Sequence, residues 1–249
     1  MNTIDLNADI GEGAGTDREL IGIVSSASIA CGGHAGDVAT MRNCVQLAKE
    51  RNVTIGAHPG FADPKNFGRV RLDLPPDQIA FEMVAQVGRL LAVAADANAE
   101  VHYVKLHGAL ANMAAEDEAL AIEVFGALRK LDASLAVLAI DGSAQVTAAK
   151  ALGLTMVREA YADRAYDRSG MLVPRSEEGA VLTERKDVLA QCLRLAKRGE
   201  VVSRNGEAFA SAAQSICIHG DTMGAIVLAK DIRDMLTKEG IRVTSAFAE

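Results

Sequence analysis

The sequence is poor in the features that mark several classes of protein. Tryptophan is absent and aromatic residues make up only 4% of the 249 residues, which leaves little surface on which bases or sugars could stack. The formal net charge of −7 argues against non-specific binding to nucleic acid, which needs a basic surface. No apolar run is expected to span a bilayer, and the N-terminus does not resemble a secretory signal. We therefore expect a cytoplasmic protein that binds neither nucleic acid nor membrane.

Motifs for binding nucleotides and structural metals are also missing. The phosphate-binding pattern GxxxxGK[ST] does not occur, and Gly11–Gly15 matches a dinucleotide fingerprint poorly. The four cysteines lack CxxC spacing, which argues against a structural zinc site. Cys44, Cys192 and Cys217 fall among apolar residues and are expected in the core. Cys31 lies in a glycine-rich turn, where a small buried residue is the commoner outcome and a reactive thiolate is the alternative.

What the sequence does contain is a repeated alternation of short apolar strands with amphipathic helices. The predicted strands are Ile4–Ile10, Ser26–Ala30, Val53–His58, Val101–Leu106, Leu135–Ile140, Thr155–Glu159 and Ser215–Ile218. Asp37 is predicted to cap the helix after the second strand, Pro76 to begin a long helix, and Glu116–Leu131 to form another. Seven such alternations predict a single α/β domain over residues 1–249, with a parallel sheet in a closed or nearly closed barrel.

Residues capable of acid–base chemistry collect at the carboxyl ends of these strands. The catalytic candidates are Asp9, Glu12, His34, His58, Lys105, His107, Glu159, His219 and Asp221. The strand ends of a barrel meet at one mouth, where barrel enzymes hold their active sites, so we expect these side chains to form one cluster. Asp5 and Asn7 are interpreted as a buried polar layer, His102 as a structural residue, and Asp141 as a helix cap.

The chemistry of this cluster has more than one interpretation. Four histidines and several carboxylates could hold a divalent metal of unknown identity, although no HxH or HxxxH spacing favours one. The same residues could serve as general acids and bases without a metal. For Lys105, a structural ion pair is the alternative to a catalytic role. The long polar segment Tyr161–Thr183 is expected to be a functional loop.

Several stretches, spread in order along almost the whole chain, match one known family. They include DLNADIGEG from Asp5, ACGGHAGD from Ala30, IGAHPGFAD from Ile55, VKLHGALAN from Val104, EAYADRAY from Glu159 and ICIHGD from Ile216. On these stretches the chain resembles the LamB/YcsF family. The resemblance implies a (β/α)7-type distorted TIM-like barrel, similar to the barrels of glycoside hydrolases and polysaccharide deacetylases. It also implies a component of an ATP-dependent 5-oxoprolinase, which cleaves the lactam of 5-oxo-L-proline to L-glutamate.

The resemblance further implies partners and residue roles. The family works with two other subunits, B and C, and the missing phosphate loop suggests that ATP, the co-substrate, is bound with their help. The substrate-binding candidates are Arg69, Asp163, Arg164 and Arg175. Lys105 and His107 are expected to stabilise charge on the activated lactam. A carboxylate, Asp9, Glu12 or Glu159, is expected to activate water.

Two alternatives and a few departures from the family pattern remain. Gly33 and Ala111 stand where the family usually has Phe and Tyr, which is expected to widen the pocket mouth, and Val70 replaces a common Arg. One alternative function is a stand-alone, metal-dependent amide or carbohydrate deacetylase-like hydrolase. The other is a non-catalytic chain that only organises its partners, against which the many ionisable residues speak.

Overall fold

Seven parallel strands form a closed barrel in the computed structural model of the chain, which describes residues 2–220 and 224–247. The described residues form ten strands, of which β1 to β6 and β9 are the barrel strands: β1 Thr3–Ile10, β2 Ser26–Ala30, β3 Thr54–His58, β4 Val101–Val104, β5 Ala136–Ile140, β6 Met156–Tyr161, β7 Glu200–Val202, β8 Ala208–Ala210, β9 Ser215–Ile218 and β10 Arg242–Val243. Strands β1 to β6 pair in chain order, and β9 pairs with both β6 and β1, which closes the ring. The predicted TIM-like α/β barrel is confirmed.

Helices flank the barrel and connect its strands. They are α1 Asp17–Ile21, α2 Val38–Glu50, α3 Pro76–Asp96, α4 Gly108–Glu116, α5 Glu118–Leu131, α6 Ala144–Ala151, α7 Arg185–Arg198 and α8 Ala225–Lys238. As predicted, Asp37 caps α2, because its carboxylate accepts a hydrogen bond from the Thr40 backbone N–H at 2.7 Å. Pro76 occupies the first turn of α3, where its missing N–H costs nothing.

Helix α3 differs from the expectation that no apolar run is long enough to span a bilayer. By length and composition alone, its 21 residues would be sufficient. It packs against α2 and α5, however, and buries a stripe that includes Met83, Val87 and Leu90. A helix with one face buried against its neighbours is typical of a protein core.

The helix predicted over Glu116–Leu131 is α5, which begins two residues later, at Glu118. Helix α4 before it was not predicted, and Asp117 separates the two helices with an extended backbone. The Asp117 carboxylate accepts from the N–H groups of Ala119 and Leu120, so it caps α5. The prediction also omitted the short elements α1 and β10 and the antiparallel pairing of β7 with β8. Such short elements carry too few residues to show a period.

The prediction that Asp141 caps the following helix is also wrong. Ser143 occupies the position before α6, and its hydroxyl donates to the Ile140 carbonyl. The Asp141 carboxylate instead accepts from the Ser211 hydroxyl and the Ala212 N–H, both at 2.7 Å. It therefore ties the end of β5 to the segment that leads into β9.

A buried polar layer crosses the barrel interior, as the sequence predicted. The Asp5 carboxylate accepts from the hydroxyls of Ser25 at 2.6 Å, Ser26 at 2.7 Å and Ser215 at 2.5 Å. The Asn7 amide donates to the Ser215 hydroxyl at 2.8 Å. We call Asp5, Ser25, Ser26 and Ser215 the Asp5 layer; its hydrogen bonds connect β1, β2 and β9.

The four cysteines are all buried, which confirms the core assignment of Cys44, Cys192 and Cys217. Cys31 is buried as well, and its thiol donates to the Ile29 carbonyl at 3.1 Å. Burial raises the pKa of Cys31 to about 12, so the group is a thiol rather than a reactive thiolate.

Candidate active site

A cavity of about 520 Å³ opens at the carboxyl ends of the barrel strands. This volume suits a small-molecule ligand. Of the sequence-predicted site residues, those that line it are Asp9, Glu12, His58, Arg69, Lys105, His107, Arg164, Arg175 and His219. The barrel therefore brings together residues that lie far apart in the chain. Asp221 lies outside the described residues.

The Lys105 ammonium is buried at the base of this cavity between two carboxylates. Its Nζ lies 2.8 Å from Asp9 Oδ1 and 3.0 Å from Glu159 Oε1. It also donates to the Asn7 side-chain oxygen at 3.2 Å and contacts Cys217 Sγ at 3.0 Å. Burial by itself would lower the pKa of Lys105, but the carboxylates outweigh burial and hold that pKa well above its usual value. The side chain is therefore a fixed positive charge.

Asp9 connects Lys105 to the neighbouring histidines. Its Oδ1 atom, besides contacting Lys105, lies 3.5 Å from His58 Nε2. Burial would raise the pKa of Asp9, but the Lys105 ammonium, together with the His58 ring in its protonated form at low pH, outweighs burial and holds that pKa below its usual range. An ionised carboxylate with so low a pKa is a weak proton acceptor, so Asp9 is better suited to orienting groups than to acting as the general base.

Three histidines and one glutamate converge beside Asp9. Glu12 Oε1 lies 2.8 Å from His34 Nε2, 3.3 Å from His107 Nδ1 and 3.7 Å from His58 Nε2. His58 Nε2 and His107 Nδ1 are 3.0 Å apart. All four atoms lie within 4.8 Å of one another, which makes this set a candidate metal site. We call these four residues the Glu–His cluster.

Burial keeps the rings of this cluster neutral at neutral pH. Burial lowers the pKa of His34 and of His58 to about 4, and it holds the pKa of His107 well below 6.5. The His34 ring stacks on the His107 ring with centroids 3.6 Å apart and lies behind it, away from the described lining of the cavity. His107 and His58 face the cavity directly.

Glycines allow the loop after β3 to pass close to these rings. Gly68 has a left-handed backbone with φ of +61°, and a Cβ placed there would lie 2.8 Å from the Cβ of His34. Only glycine satisfies both the backbone conformation and the close approach. The preceding residue, Phe67, presents its carbonyl to His107 Nε2 at 2.9 Å. The loop therefore sets the orientation of the His107 ring.

The predicted substrate-binding residues occupy different places around the cavity. Arg69 and Arg175 lie among its lining residues. Arg164 also lines it, but its guanidinium donates to the carbonyls of Ala180 at 3.2 Å and Val173 at 2.5 Å. Part of its hydrogen-bonding capacity therefore holds the long loop after β6, and the remainder is left for a ligand.

Asp163 and Glu159 lie behind the described cavity lining. The Asp163 carboxylate is 2.7 Å from Nδ1 of His219, so it orients that ring from behind. Glu159 accepts from the Asn7 amide at 2.8 Å and pairs with Lys105. Both carboxylates are placed to hold other site residues in position, and direct contact with substrate stays a prediction.

Of the two small residues expected to widen the pocket mouth, only Ala111 lies where it could do so. Ala111 lines the cavity. The space beside Gly33, however, is filled by the Gln86 carboxamide, since a Cβ at Gly33 would lie 2.2 Å from Gln86 Oε1. Gln86 is held there by hydrogen bonds to the backbone of Gly60, at 2.7 Å to its carbonyl and 3.2 Å from its N–H. Val70 is exposed.

Cys217 and Tyr161 belong to the site but were not predicted as site residues. Cys217 contacts the Lys105 ammonium, and the Tyr161 ring lies 5.4 Å from Lys105 Nζ and lines the cavity. Cys217 could have been predicted from the alternation along β9. Residues two apart on a strand point the same way, and Cys217 is two residues before the predicted site residue His219.

Comparisons with known proteins agree with this architecture. The model of the LamB/YcsF family matches residues 4–249. A protein from Streptomyces avermitilis, named as the A subunit of 5-oxoprolinase, is 46% identical over 98% of this chain and its own full length. The crystal structure of a lactam utilization protein from Thermus thermophilus has 36% identity and a TM-score of 0.90, covering 97% of this chain and 99% of that one. A family 4 carbohydrate esterase from Streptomyces lividans, with 11% identity, a TM-score of 0.51 and coverage of 97% and 91%, shares the fold alone.

Proposed function

Because the chain belongs to the LamB/YcsF family, we propose that it supplies the lactam-cleaving site of an ATP-dependent 5-oxoprolinase, which converts 5-oxo-L-proline to L-glutamate. The observation that carries the proposal is the fixed charge of Lys105 at the base of a cavity that also presents Arg69 and Arg175. A small cyclic amide with one carboxylate needs both features: a cation where negative charge develops and a guanidinium for the carboxylate.

The reaction needs activation because an unstrained five-membered lactam resists hydrolysis. Transfer of the terminal phosphoryl group of ATP to the lactam oxygen would form an O–P bond and release ADP. Water would then add to the activated carbon, and the C–N bond would break with protonation of nitrogen to give an acyl phosphate. A second water would release phosphate. The net change consumes one ATP and two waters and yields glutamate, ADP and phosphate.

The site residues have distinct roles in this scheme. Lys105 and His107 stabilise negative charge at the lactam oxygen or the transferred phosphate. Glu12, beside the neutral His58, is better placed than Asp9 to direct water, since the Asp9 charge is engaged by Lys105. Arg69 and Arg175 hold the substrate carboxylate.

The sequence of this chain contains no phosphate-loop motif with which to bind ATP. We therefore assign ATP binding to the assembled enzyme, in which this chain acts with subunits B and C in the cytoplasm. The naming of the Streptomyces avermitilis relative as one subunit of an enzyme supports an assembly of several chains.

Glutamate release from 5-oxo-L-proline tests the proposal. The assay compares this chain alone with a mixture that contains the two partner subunits, each with and without ATP. We expect release only from the mixture with ATP. Release by the chain alone, without ATP and abolished by a chelator, would replace the proposal with a stand-alone metal-dependent hydrolase. Absence of release in every arm would exclude 5-oxo-L-proline as the substrate.

A further inference from the structure

We infer that the Glu–His cluster is a binding site for one divalent transition-metal ion that prefers nitrogen and carboxylate ligands, as Zn²⁺ does. The donor atoms are Oε1 of Glu12, Nε2 of His34, Nε2 of His58 and Nδ1 of His107. The inference concerns binding of the ion, and it stands independently of the lactam-cleaving activity proposed above.

The ring nitrogens of His58 and His107 cannot both be satisfied by the hydrogen bonds of the protein alone. His58 Nδ1 lies 2.9 Å from the Lys105 carbonyl, and His107 Nε2 lies 2.9 Å from the Phe67 carbonyl. A carbonyl oxygen can only accept, so both of these nitrogens carry the ring proton. The other two nitrogens are then lone pairs, and they face each other at 3.0 Å. Two lone pairs at this distance repel each other unless a cation lies beside both.

The other two ligand atoms, from Glu12 and His34, lie close to these two nitrogens. Glu12 adds a carboxylate, which also only accepts, at 3.3 Å and 3.7 Å from those two nitrogens. His34 Nε2 lies 2.8 Å from the same carboxylate oxygen. Bonds of about 2.0–2.1 Å to a tetrahedral zinc place its ligand atoms about 3.3–3.4 Å apart. Four of the six separations among the donor atoms, at 2.8 to 3.7 Å, lie around that value, and all six are within 4.8 Å.

The ring nitrogens of His58 and His107 that are not ligand atoms are held by backbone carbonyls. Metal-binding histidines usually donate their second N–H to a carbonyl or carboxylate, which fixes the ring for coordination. His58 and His107 both do so, through the carbonyls of Lys105 and Phe67. His34 Nδ1 is buried without a protein partner among the described residues, so His34 is oriented by stacking on His107 and by the contact of its Nε2 with Glu12.

A second group of potential ligands, Asp9, Cys217 and His219, is a weaker candidate. The Lys105 ammonium lies 2.8 Å from Asp9 and 3.0 Å from Cys217, so a positive charge already occupies that position. A divalent cation placed there would face a buried like charge. The ion therefore belongs to the Glu–His cluster, where Glu12, His58 and His107 line the cavity and give a ligand access to it.

Metal titration of the full chain tests the inference without substrate, ATP or partner subunits. The protein is stripped with EDTA and dialysed, and its affinity for Zn²⁺ is measured by competition with a chromophoric chelator. Bound metal is counted by elemental analysis. Co²⁺ is added separately, because its visible absorption reports coordination by nitrogen ligands in a tetrahedral site. The variants are Glu12→Gln and His107→Ala, with circular dichroism and thermal melting to verify folding.

Two further variants are matched controls. His102→Ala removes an exposed histidine at the opposite end of β4, and His219→Ala removes a histidine of the second group. We expect one Zn²⁺ per chain in the wild type and in both controls. We expect affinity to fall by more than about 100-fold in Glu12→Gln and His107→Ala, at least as much as loss of an outer-shell partner costs.

Three results would overturn the inference. Uptake of less than a tenth of an equivalent by the wild type would mean that a shared proton, and not a metal, lies between His58 and His107. Loss of binding in His219→Ala with retention in Glu12→Gln would move the ion to the second group. Equal affinity in all folded variants would place it outside both.

Discussion

Two buried polar clusters occupy the same barrel interior, and they differ in how their hydrogen bonds balance. In the Asp5 layer, serine hydroxyls donate to a single carboxylate, and each acceptor is matched by a donor. In the Glu–His cluster, a carboxylate and two histidine lone pairs face one another at 3.0 to 3.7 Å. A satisfied network stabilises a fold, whereas a buried excess of acceptors costs stability unless a ligand is bound.

Lys105 lies between these two kinds of cluster. It pairs with both Asp9 and Glu159, and so it stabilises buried carboxylates as the serine hydroxyls of the Asp5 layer do. It also faces the cavity beside the Glu–His cluster. The comparison therefore predicts that changes at Lys105 affect stability and activity together, while changes in the other two clusters separate these properties.

The largest effect is expected for Lys105→Met. The substitution leaves two buried carboxylates without their cation, which should lower the free energy of unfolding by about 3–5 kcal/mol. Urea denaturation measures the change. Glutamate release by the assembled enzyme should also be lost, because the charge at the base of the cavity is gone. A loss below about 1 kcal/mol would show that the carboxylates are not paired with Lys105.

The next effect is the pH dependence of stability in EDTA-stripped protein. His34 and His58 have folded pKa values of about 4, below the 6.5 of the unfolded chain, so the unfolded state takes up protons first as pH falls. Stability is therefore greatest above pH 6.5 and decreases between pH 6.5 and 4, by about 2 kcal/mol per ring at pH 5. Urea midpoints measured at a series of pH values across this window report the slope. A flat profile would contradict the neutral state of the buried rings.

Two matched amide substitutions, one in each cluster, should affect stability and activity differently. In Asp5→Asn, an N–H group would face the Ser215 hydroxyl, which already accepts from Asn7 and must donate to residue 5. We expect a loss of about 1–3 kcal/mol in unfolding free energy, with activity per folded molecule unchanged. In Glu12→Gln, the new N–H group can meet a histidine lone pair, so in EDTA-stripped protein the free energy of unfolding should change by less than about 1 kcal/mol, while the activity of the assembled enzyme falls. The reverse pattern would overturn the comparison.

The smallest effect is expected for Arg71→Ala at the cavity rim. Arg71 pairs with Glu116, but the two side chains are 57% and 52% exposed. Such pairs contribute little because water screens them, so unfolding free energy should change by less than about 0.5 kcal/mol. The melting temperature of this variant is compared with that of Lys105→Met, since both substitutions remove a positive charge at the same cavity. A shift as large as that of Lys105→Met would show that exposure does not explain the difference.

Prediction from sequence succeeded where a local pattern has one physical meaning. Alternation of apolar residues predicted β1 with Asp5 and Asn7 on one face, and the Asp37 and Pro76 signals marked two helix starts correctly. It missed helix α4, and it failed at Asp141, whose carboxylate accepts from Ser211 and Ala212 and does not cap the helix that follows. Distant partners such as Ser211 cannot be read from neighbouring residues.

The order of apolar strands and amphipathic helices was enough to specify a parallel barrel, and the polar residues at strand ends were enough to predict which side chains line the cavity at its mouth. These features are local or periodic, so they can be recognised from residues that are close together in the sequence. Which polar residues at the mouth pair with one another is decided only by the tertiary structure. Lys105 meets Asp9 and Glu159, and the rings of His58 and His107 meet lone pair to lone pair, through contacts between separate strands and loops. Whether a buried acceptor faces a donor or another acceptor depends on distances of a few ångströms between such segments, and those distances exist only in the closed barrel.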